Sequence, residues 1–199
     1  MSRLVETLRV EDGNILNVSK HNDRMHRSLY GIYGLRSSVD LNKIITVPEF
    51  AMSGIFKCRV NYDNKSTRVE FLPYTIKLVR SLKLIFDETI SYPYKYVARE
   101  NINRLMEMRG DCDDILIIKD NMVTDSSYAN VVFRELNGNW VTPFTYLLAG
   151  TRRAGLLKKG IIREASIHYN DIHKYTVVKL INAMLGLDDT EGIPVRNII

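Results

Sequence analysis

Turn dipeptides between β-rich runs constrain the fold of this chain more than any other feature of its sequence. Asp12-Gly13 separates VETLRVE from NILNV, and Asn137-Gly138 separates VVFREL from NWVTP. Both dipeptides tolerate the positive φ angles of tight hairpin turns. Asp120-Asn121 lies in the same way between DDILIIK and MVTD. The sequence therefore predicts two hairpins and a third turn between strands.

Helical spacing is present in the segments between these strands. In HNDRMHRSLYGIYGL, apolar residues from Met25 to Leu35 recur at the spacing of one helix face. NINRLMEMRG and TRRAGLLKKG predict two shorter helices, which end at Gly110 and Gly160. FKCRVNY and TRVEFLPY predict one more strand pair, joined by the polar turn DNKS.

Strands and helices in this arrangement predict an α+β chain with two domains. Pro93 in SYPY disfavours helix at the residue before it, so a linker is expected there. We therefore predict a small α+β domain at residues 1–88 and a larger, β-rich domain at residues 89–199.

Composition and charge argue against several classes of protein. The 199 residues carry a net charge of +5, but Lys and Arg are scattered, which argues against a nucleic-acid surface. No apolar run approaches the length of a membrane span, and the N-terminus lacks the apolar stretch of a signal peptide. Cys58 and Cys112 are the only cysteines, and no metal-ligand spacing is present. These features predict a cytoplasmic protein without a disulfide framework or a structural metal.

Asp125 is an unusual acidic residue, because MVTDSSYANVVF places it between two strand-like runs. A buried carboxylate is costly unless a cation or fixed donors meet it, and no cation adjoins it in sequence. Its partner is then distant in the chain or belongs to a ligand. The alternative is a local role, since Asp-Ser-Ser is typical of an Asx turn or a helix cap.

MVTDSSYANVVF, WVTPF and LLAGTRRAGLL follow one another along the chain. In this order they resemble motifs of the class IV aminotransferases, which are fold-type IV pyridoxal-phosphate (PLP) enzymes. HNDRMHRS and VETLRVEDG resemble the family upstream, and LINAMLG and IPVRNI resemble its 4-amino-4-deoxychorismate lyase branch. The resemblance implies a two-domain, D-amino acid aminotransferase-like architecture, PLP as the cofactor, and a homodimer. Family members usually run longer, so this chain is expected to be shortened at both ends.

The resemblance also implies which lysine attaches the cofactor. In the lyase branch that lysine heads a Lys-x-x-x-Arg run, and KYVAR supplies Lys95 with Arg99 four residues on. PLP enzymes need such an amine to bind the cofactor aldehyde and later to move a proton. Lys77 and Lys83, in a basic helix-like run, and Lys119, in a turn, are poorer candidates. The alternative is that Lys95 is a solvated linker lysine.

By the same resemblance, Asp125 takes the place of the family's usual Glu and faces the pyridine nitrogen of the cofactor. A carboxylate there favours the protonated ring, which accepts electrons better. Arg24 matches the family arginine that binds the phosphate, and a helix N-terminus also suits an anion. The other residues expected at the cofactor are Ser126, Ser127, Gly150, Thr151 and Arg152.

Four further residues match positions near the substrate in the lyase branch. They are Thr7, Arg9, Tyr94 and Asn182. For Arg9, a surface ion pair with Glu11 is an equally good interpretation.

Together the motifs predict a PLP-dependent enzyme that acts on a small-molecule amine, without a nucleic-acid or membrane partner. KYVAR and LINAM favour 4-amino-4-deoxychorismate lyase, which forms 4-aminobenzoate and pyruvate. Transamination of branched-chain or D-amino acids is the alternative, because it would use the same cofactor residues. A third hypothesis is a non-catalytic relative, since Asp replaces Glu and the family's opening segment is missing.

Overall fold

The computed structural model describes residues 3–199, and the chain divides into two compact units. The first unit runs to Ile76 and also contains Tyr94–Ala98, whereas the second contains Lys77–Pro93 and Arg99–Ile199. The expected boundary at residue 88 differs from this division. Residues 77–88 belong to the second unit because a strand within them pairs with its sheet.

The first unit is a four-stranded antiparallel sheet with a long helix on one face. Its elements are β1 (Leu4–Glu11), β2 (Asn14–Ile15), α1 (Val18–Tyr33), α2 (Leu41–Ile44), β3 (Ile55–Tyr62) and β4 (Thr67–Pro73). The strand order is β2-β1-β3-β4. The predicted hairpin at Asp12-Gly13 is confirmed, with φ of 47° and 78° at the two residues. The predicted strand pair of β3 and β4 is confirmed as well.

Side chains alternate across β1, as the pleat of a strand requires. Leu4, Leu8 and Val10 are fully buried and pack in one cluster with Met25 and Leu29 of α1. This side of the sheet is called the helix face below. Residues at the alternating positions of β1 lie on the opposite side, called the open face.

Tyr94–Ala98 adds to the free edge of β1. Val5 N–H donates to the Lys95 carbonyl at 2.9 Å, and Leu4 pairs antiparallel with Tyr96. This short segment therefore continues the first unit's sheet, although it follows residues of the second unit in sequence.

The second unit is built on one branched sheet. Its elements are β5 (Leu82–Phe86), α3 (Glu100–Glu107), β6 (Asp114–Lys119), β7 (Met122–Ser126), β8 (Asn130–Arg134), β9 (Trp140–Pro143), α4 (Thr151–Lys158), β10 (Ile162–Ala165), β11 (Val177–Ile181) and β12 (Ile193–Pro194). The strands follow the order β10-β9-β8-β7-β6-β5, and β11 pairs with β8 and β12. Pairings β5–β6 and β9–β10 are parallel, and the others are antiparallel.

The centre of this sheet is apolar and fully buried. Residues Val131–Phe133 of β8 and Ile115–Ile118 of β6 have no exposed surface. The predicted hairpin between β8 and β9 is confirmed, and so are the helices α3 and α4. The helix-like interpretation of the run that contains Lys83 is wrong, because Lys83 lies in β5 and pairs with Ile115. Lys119 is the last residue of β6.

Within residues 3–199, no helix combines the length and the apolar character needed to cross a bilayer.

Candidate active site

Asp125 lies in β7 with 5% of its surface exposed, and fixed donors of the second unit surround its carboxylate. Its Oδ1 accepts a hydrogen bond from Asn130 Nδ2 at 2.7 Å. Its Oδ2 accepts from the backbone N–H groups of Leu147 and Leu148, each at 3.0 Å. Leu147 and Leu148 lie more than twenty residues away in sequence, so the local Asx-turn interpretation of Asp125 is wrong. Ser126 makes the local turn instead, because its Oγ accepts from Tyr128 and Ala129 N–H.

The three donors do not fully offset the burial of this carboxylate. Burial raises the pKa of Asp125 to about 6, while the bonds from Leu148, Asn130 and Leu147 and the charge of Arg153 oppose the rise. A carboxylate has about four acceptor positions, and three are occupied by these donors. The group therefore suits one more donor, and a cationic donor would stabilise its charged form.

Asn130 also fixes the approach of α4 to this carboxylate. It stands opposite Asp125 in the β7–β8 pairing, and its Nδ2 donates to the Leu148 carbonyl at 2.9 Å as well. A Cβ at Gly150 would lie 1.9 Å from Asn130 Oδ1. Glycine is therefore required at the start of α4 for this close approach.

The N-terminus of α4 is the candidate anion site of the second unit. Gly150 is the N-cap residue and has no side chain with which to cap this end. Thr151 is 5% exposed. Backbone N–H groups and the helix dipole at such an end attract a phosphate. Gly150 and Thr151 thus occupy positions compatible with the predicted phosphate site.

Arg152 and Asn182 make contacts elsewhere in the second unit. Arg152 Nε and Nη2 donate to the carbonyls of Asn182 and Ala183, each at 3.4 Å. Asn182 Oδ1 accepts from Met184 N–H at 2.8 Å and Leu185 N–H at 3.0 Å. These contacts indicate that both side chains shape the loop after β11, and their predicted ligand contacts stay predictions.

Ser126 and Ser127 differ in their surroundings. Ser126 Oγ accepts two backbone bonds, as described above, and its hydroxyl hydrogen is left to donate elsewhere. Ser127 N–H donates to Asp114 Oδ1 at 3.3 Å, and Ser127 helps to lower the pKa of this carboxyl, which burial raises. Its predicted contact with the cofactor stays a prediction.

Arg24 belongs to a buried ionic cluster on the helix face of the first unit. Its Nε and Nη2 donate to the two carboxylate oxygens of Glu6 at 2.9 and 2.5 Å. His21 Nδ1 lies 2.6 Å from Glu6 Oε2. Burial opposes ionisation of Glu6, but Arg24 and His21 outweigh it and hold the pKa of Glu6 at about 2. Neither Glu6 nor His21 was predicted as a site residue, although an acid in the apolar strand β1 was a visible signal.

Lys95 shares the open face of the first unit with Thr7 and Arg9. It stands opposite Val5 on the edge of β1, and Val5, Thr7 and Arg9 alternate with the buried residues of the helix face. Directly opposed residues of a sheet project to the same side. Lys95 is half-buried, and its segment is paired with β1, whereas a linker would run free of the sheet. Its charge also helps to lower the pKa of His21, after burial as the main cause.

Tyr94 lies on the other side of this edge. It packs against the apolar cluster of the helix face, with its ring 6.1 Å from that of Tyr96. A Cβ at Gly31 of α1 would lie 2.0 Å from the Tyr94 hydroxyl. Alternation places Tyr94 on the side opposite to Lys95, and its predicted contact with the substrate stays a prediction.

More cations extend the open face beyond Lys95. Arg9 stands opposite Lys57, and Thr7 stands opposite Arg59. Arg9 Nε lies 3.1 Å from Glu11, and Arg59 Nη1 lies 3.2 Å from Glu70. The expected Arg9–Glu11 pair is thus present. Arg59 also borders a cleft of about 380 Å³, a volume in the range of small-molecule sites.

Comparison with known proteins identifies the family. The sequence profile of amino-transferase class IV matches residues 94–198. That is more than half of the chain, and the chain belongs to this family of enzymes. The fold agrees, because solved structures of class IV enzymes superimpose on nearly the whole chain.

Particular relatives are similar over nearly their whole length. An uncharacterized protein of Haemophilus influenzae is 40% identical over 190 residues, which cover 94% of this chain and 100% of the relative. A proposed 4-amino-4-deoxychorismate lyase from Haemophilus somnus 129PT is 35% identical, with a TM-score of 0.88 over 94% of this chain and 98% of its own. A hypothetical aminotransferase from Mycobacterium tuberculosis in PLP-bound form has a TM-score of 0.76 and 17% identity, over 98% of this chain and 82% of its own. This last likeness shows the fold alone.

The family depends on PLP, and the donor set of the second unit fits that cofactor. The partly satisfied, buried carboxylate of Asp125 suits a protonated ring nitrogen. The N-terminus of α4 suits a phosphate, and Gly150 keeps that end close to Asn130. In the first unit, Lys95 supplies a half-buried amine beside other cations. Arg24 is paired with Glu6, and its role as the phosphate-binding arginine stays a prediction.

Proposed function

We propose that this protein is a PLP-dependent lyase that converts 4-amino-4-deoxychorismate into 4-aminobenzoate and pyruvate. The observation that carries the proposal is the cationic open face of the first unit, where Lys95 lies with Arg9, Lys57 and Arg59. The 35% identity to a proposed lyase of the same reaction supports it.

The charge of this face suits a substrate with two carboxylates. Glu11 and Glu70 pair with Arg9 and Arg59, and Lys57 adds a further positive charge to the same face. 4-Amino-4-deoxychorismate carries one carboxylate on its ring and another on its enolpyruvyl group. Branched-chain amino acids carry a single carboxylate and an apolar side chain, which would place apolar surface against these cations at a desolvation cost.

Each candidate residue would have its own role in the reaction. When bound, PLP withdraws electrons from the carbon that carries the substrate amine. Lys95 would attach the cofactor, and its Nζ would then take the proton from that carbon. The bond between the ring and the enolpyruvyl oxygen breaks, the ring becomes aromatic, and the enolpyruvyl group leaves and becomes pyruvate. Asp125 would hold the proton on the ring nitrogen, and Gly150 and Thr151 would hold the phosphate.

We also propose that the protein works as a cytoplasmic homodimer on this small amine. Cys58 and Cys112 are buried and unbridged, which is compatible with a reducing compartment.

The direct test supplies 4-amino-4-deoxychorismate to the purified, PLP-loaded protein and measures 4-aminobenzoate and pyruvate. Equal amounts of both products, lost in Lys95→Ala, are expected. Pairs of branched-chain or D-amino acids with keto acids are assayed in parallel. Turnover of these pairs without 4-aminobenzoate would favour the aminotransferase alternative. PLP binding without turnover on any amine would favour a non-catalytic relative.

A further inference from the structure

Ser127 lies two residues after Asp125, in the short connection between β7 and β8. The backbone groups next to it are held within the connection, because Ser126 Oγ accepts from Tyr128 and Ala129 N–H, and Ser126 N–H donates to the Ala129 carbonyl at 2.9 Å. The N–H and carbonyl of Ser127 take no part in these hydrogen bonds within the connection. They require partners from elsewhere, since a buried backbone group without a bond is costly.

Two ionic side chains of opposite sign hold these groups. Asp114 Oδ1, at the start of β6, accepts from Ser127 N–H at 3.3 Å. Arg99, the residue before α3, donates from Nη2 to the Ser127 carbonyl. The Ser127 backbone is therefore hydrogen-bonded at its carbonyl by Arg99, 28 positions away, and at its N–H by Asp114, 13 positions away.

Burying the charged groups of Arg99 and Asp114 has a desolvation cost that a purely structural role would not require. Asp114 has no exposed surface, and burial raises its pKa. Its Oδ2 and the Nε of Arg99 are buried without a hydrogen-bond partner among the described residues. A neutral acceptor and a neutral donor could hold the same peptide at a lower desolvation cost.

Few backbone pairings hold the connection between β7 and β8, residues 126–129, in place. Between β7 and β8 the residue pairing is limited to Asp125 with Asn130. The position of the Asp125 carboxylate therefore depends on how firmly residues 126–129 are held. Its bonds to Leu147 and Leu148 N–H report on that position, because they lie outside the connection.

We propose that Arg99 and Asp114 are positioning residues that hold the Ser127 peptide and thereby place the Asp125 carboxylate for the cofactor ring. Their role is exerted through their hydrogen bonds to Ser127. The cofactor part of this inference depends on the proposed function, whereas the placement of Asp125 can be measured in the cofactor-free protein.

The test compares Arg99→Gln with wild type by amide hydrogen exchange of the cofactor-free protein. Exchange at Leu147 and Leu148 N–H is expected to rise by about tenfold or more, because loosening the connection weakens their bonds to Asp125. Exchange in β11 serves as the internal reference and stays unchanged. Arg99→Lys keeps a charged donor and restores most of the protection. Arg104→Gln is the matched control, because Arg104 of α3 pairs with Asp87 and does not contact the connection.

Asp114 provides a second pair of variants. Asp114→Ala removes the acceptor of Ser127 N–H and is expected to raise exchange at Leu147 and Leu148 N–H. Asp114→Asn keeps an acceptor and is expected to leave that exchange near the wild-type rate.

Three outcomes overturn the proposal: a uniform rise across the unit, no change at Leu147 and Leu148, or equal effects of Arg104→Gln. PLP affinity is measured separately by titration and is expected to fall by about tenfold in Arg99→Gln. If the wild type binds no PLP while the exchange result holds, the proposed function fails and the positioning of Asp125 stands.

Discussion

The Asn130 side-chain amide lies between the Asp125 carboxylate and the Leu148 carbonyl, with Nδ2 at 2.7 Å from Asp125 Oδ1. One amide thus orients the buried acid and also ties it to the segment that leads into α4. Because Gly150 is packed against the same Asn130, the acid and the helix N-terminus are held by a single side chain.

The ionisation of Asp125 can be measured without the cofactor. Burial sets its pKa at about 6, so carbon-13 NMR of labelled carboxyl groups is expected to show one aspartate titrating near that pH. Addition of PLP is expected to lower this pKa, because a ring N–H favours the charged form. A midpoint near the ordinary aspartate value of 3.8 in the free protein would show a solvated carboxyl and contradict this placement.

Gly150→Ala is expected to destabilise the protein by about 1–3 kcal/mol, because the new methyl group would displace Asn130. Urea unfolding measures the change. Gly155→Ala in the same helix is the control, since a Cβ there meets nothing within 4 Å. That substitution is expected to stabilise α4 by up to about 1 kcal/mol. Equal effects at the two positions would show that Asn130 does not approach Gly150 this closely.

Glu6→Gln is expected to destabilise the protein by about 3–5 kcal/mol, because it leaves Arg24 buried without its counter-charge. Glu11→Gln is the control, since Glu11 is 42% exposed and its pair with Arg9 is worth less than about 1 kcal/mol. Chemical denaturation at neutral pH compares the two variants.

The ionic cluster of Glu6, His21 and Arg24 also makes the stability of the protein depend on pH. Folding lowers the pKa of Glu6 from 4.5 to about 2, so its stabilising contribution is complete above pH 4.5 and is lost as the pH falls through 2. The difference corresponds to about 3 kcal/mol. Unfolding measured between these pH values is expected to show this loss in wild type, and a reduced loss in Glu6→Gln. Identical pH dependence in both proteins would exclude the ion pair.

Lys57→Gln is expected to raise the KM for 4-amino-4-deoxychorismate by about tenfold with little change in kcat, because a carboxylate of the substrate loses a cation. Steady-state kinetics measure both constants. Lys43→Gln is the control, because Lys43 lies in α2, outside the sheet. If both variants have the wild-type KM, the open face does not bind the carboxylates.

Local features of the sequence were sufficient to predict the hairpins and helices. Asp12-Gly13 and Asn137-Gly138 specify tight turns through their own backbone preferences, and the structure confirms both hairpins. The strand β5 was missed because Lys83 lies in a basic run that resembles a helix, and the strand forms through its parallel pairing with the distant β6.

Contacts between distant segments could not be predicted in the same way. No local pattern indicates that the segment of Tyr94 pairs with β1 and places Tyr94 on the helix face. The donors to Asp125 come from Leu147 and Leu148, more than twenty residues away. No local pattern indicates that backbone N–H groups from that segment would meet this acid.

The attachment of PLP to Lys95 is the claim on which the enzymatic account depends most. The protein is incubated with PLP, reduced with borohydride and digested, and peptide mass spectrometry locates the reduced cofactor. The account predicts that the cofactor is on the peptide containing Lys95 and that Lys95→Ala retains none. Cofactor found on Lys119 or Lys77 instead, or equal labelling of many lysines, would contradict it.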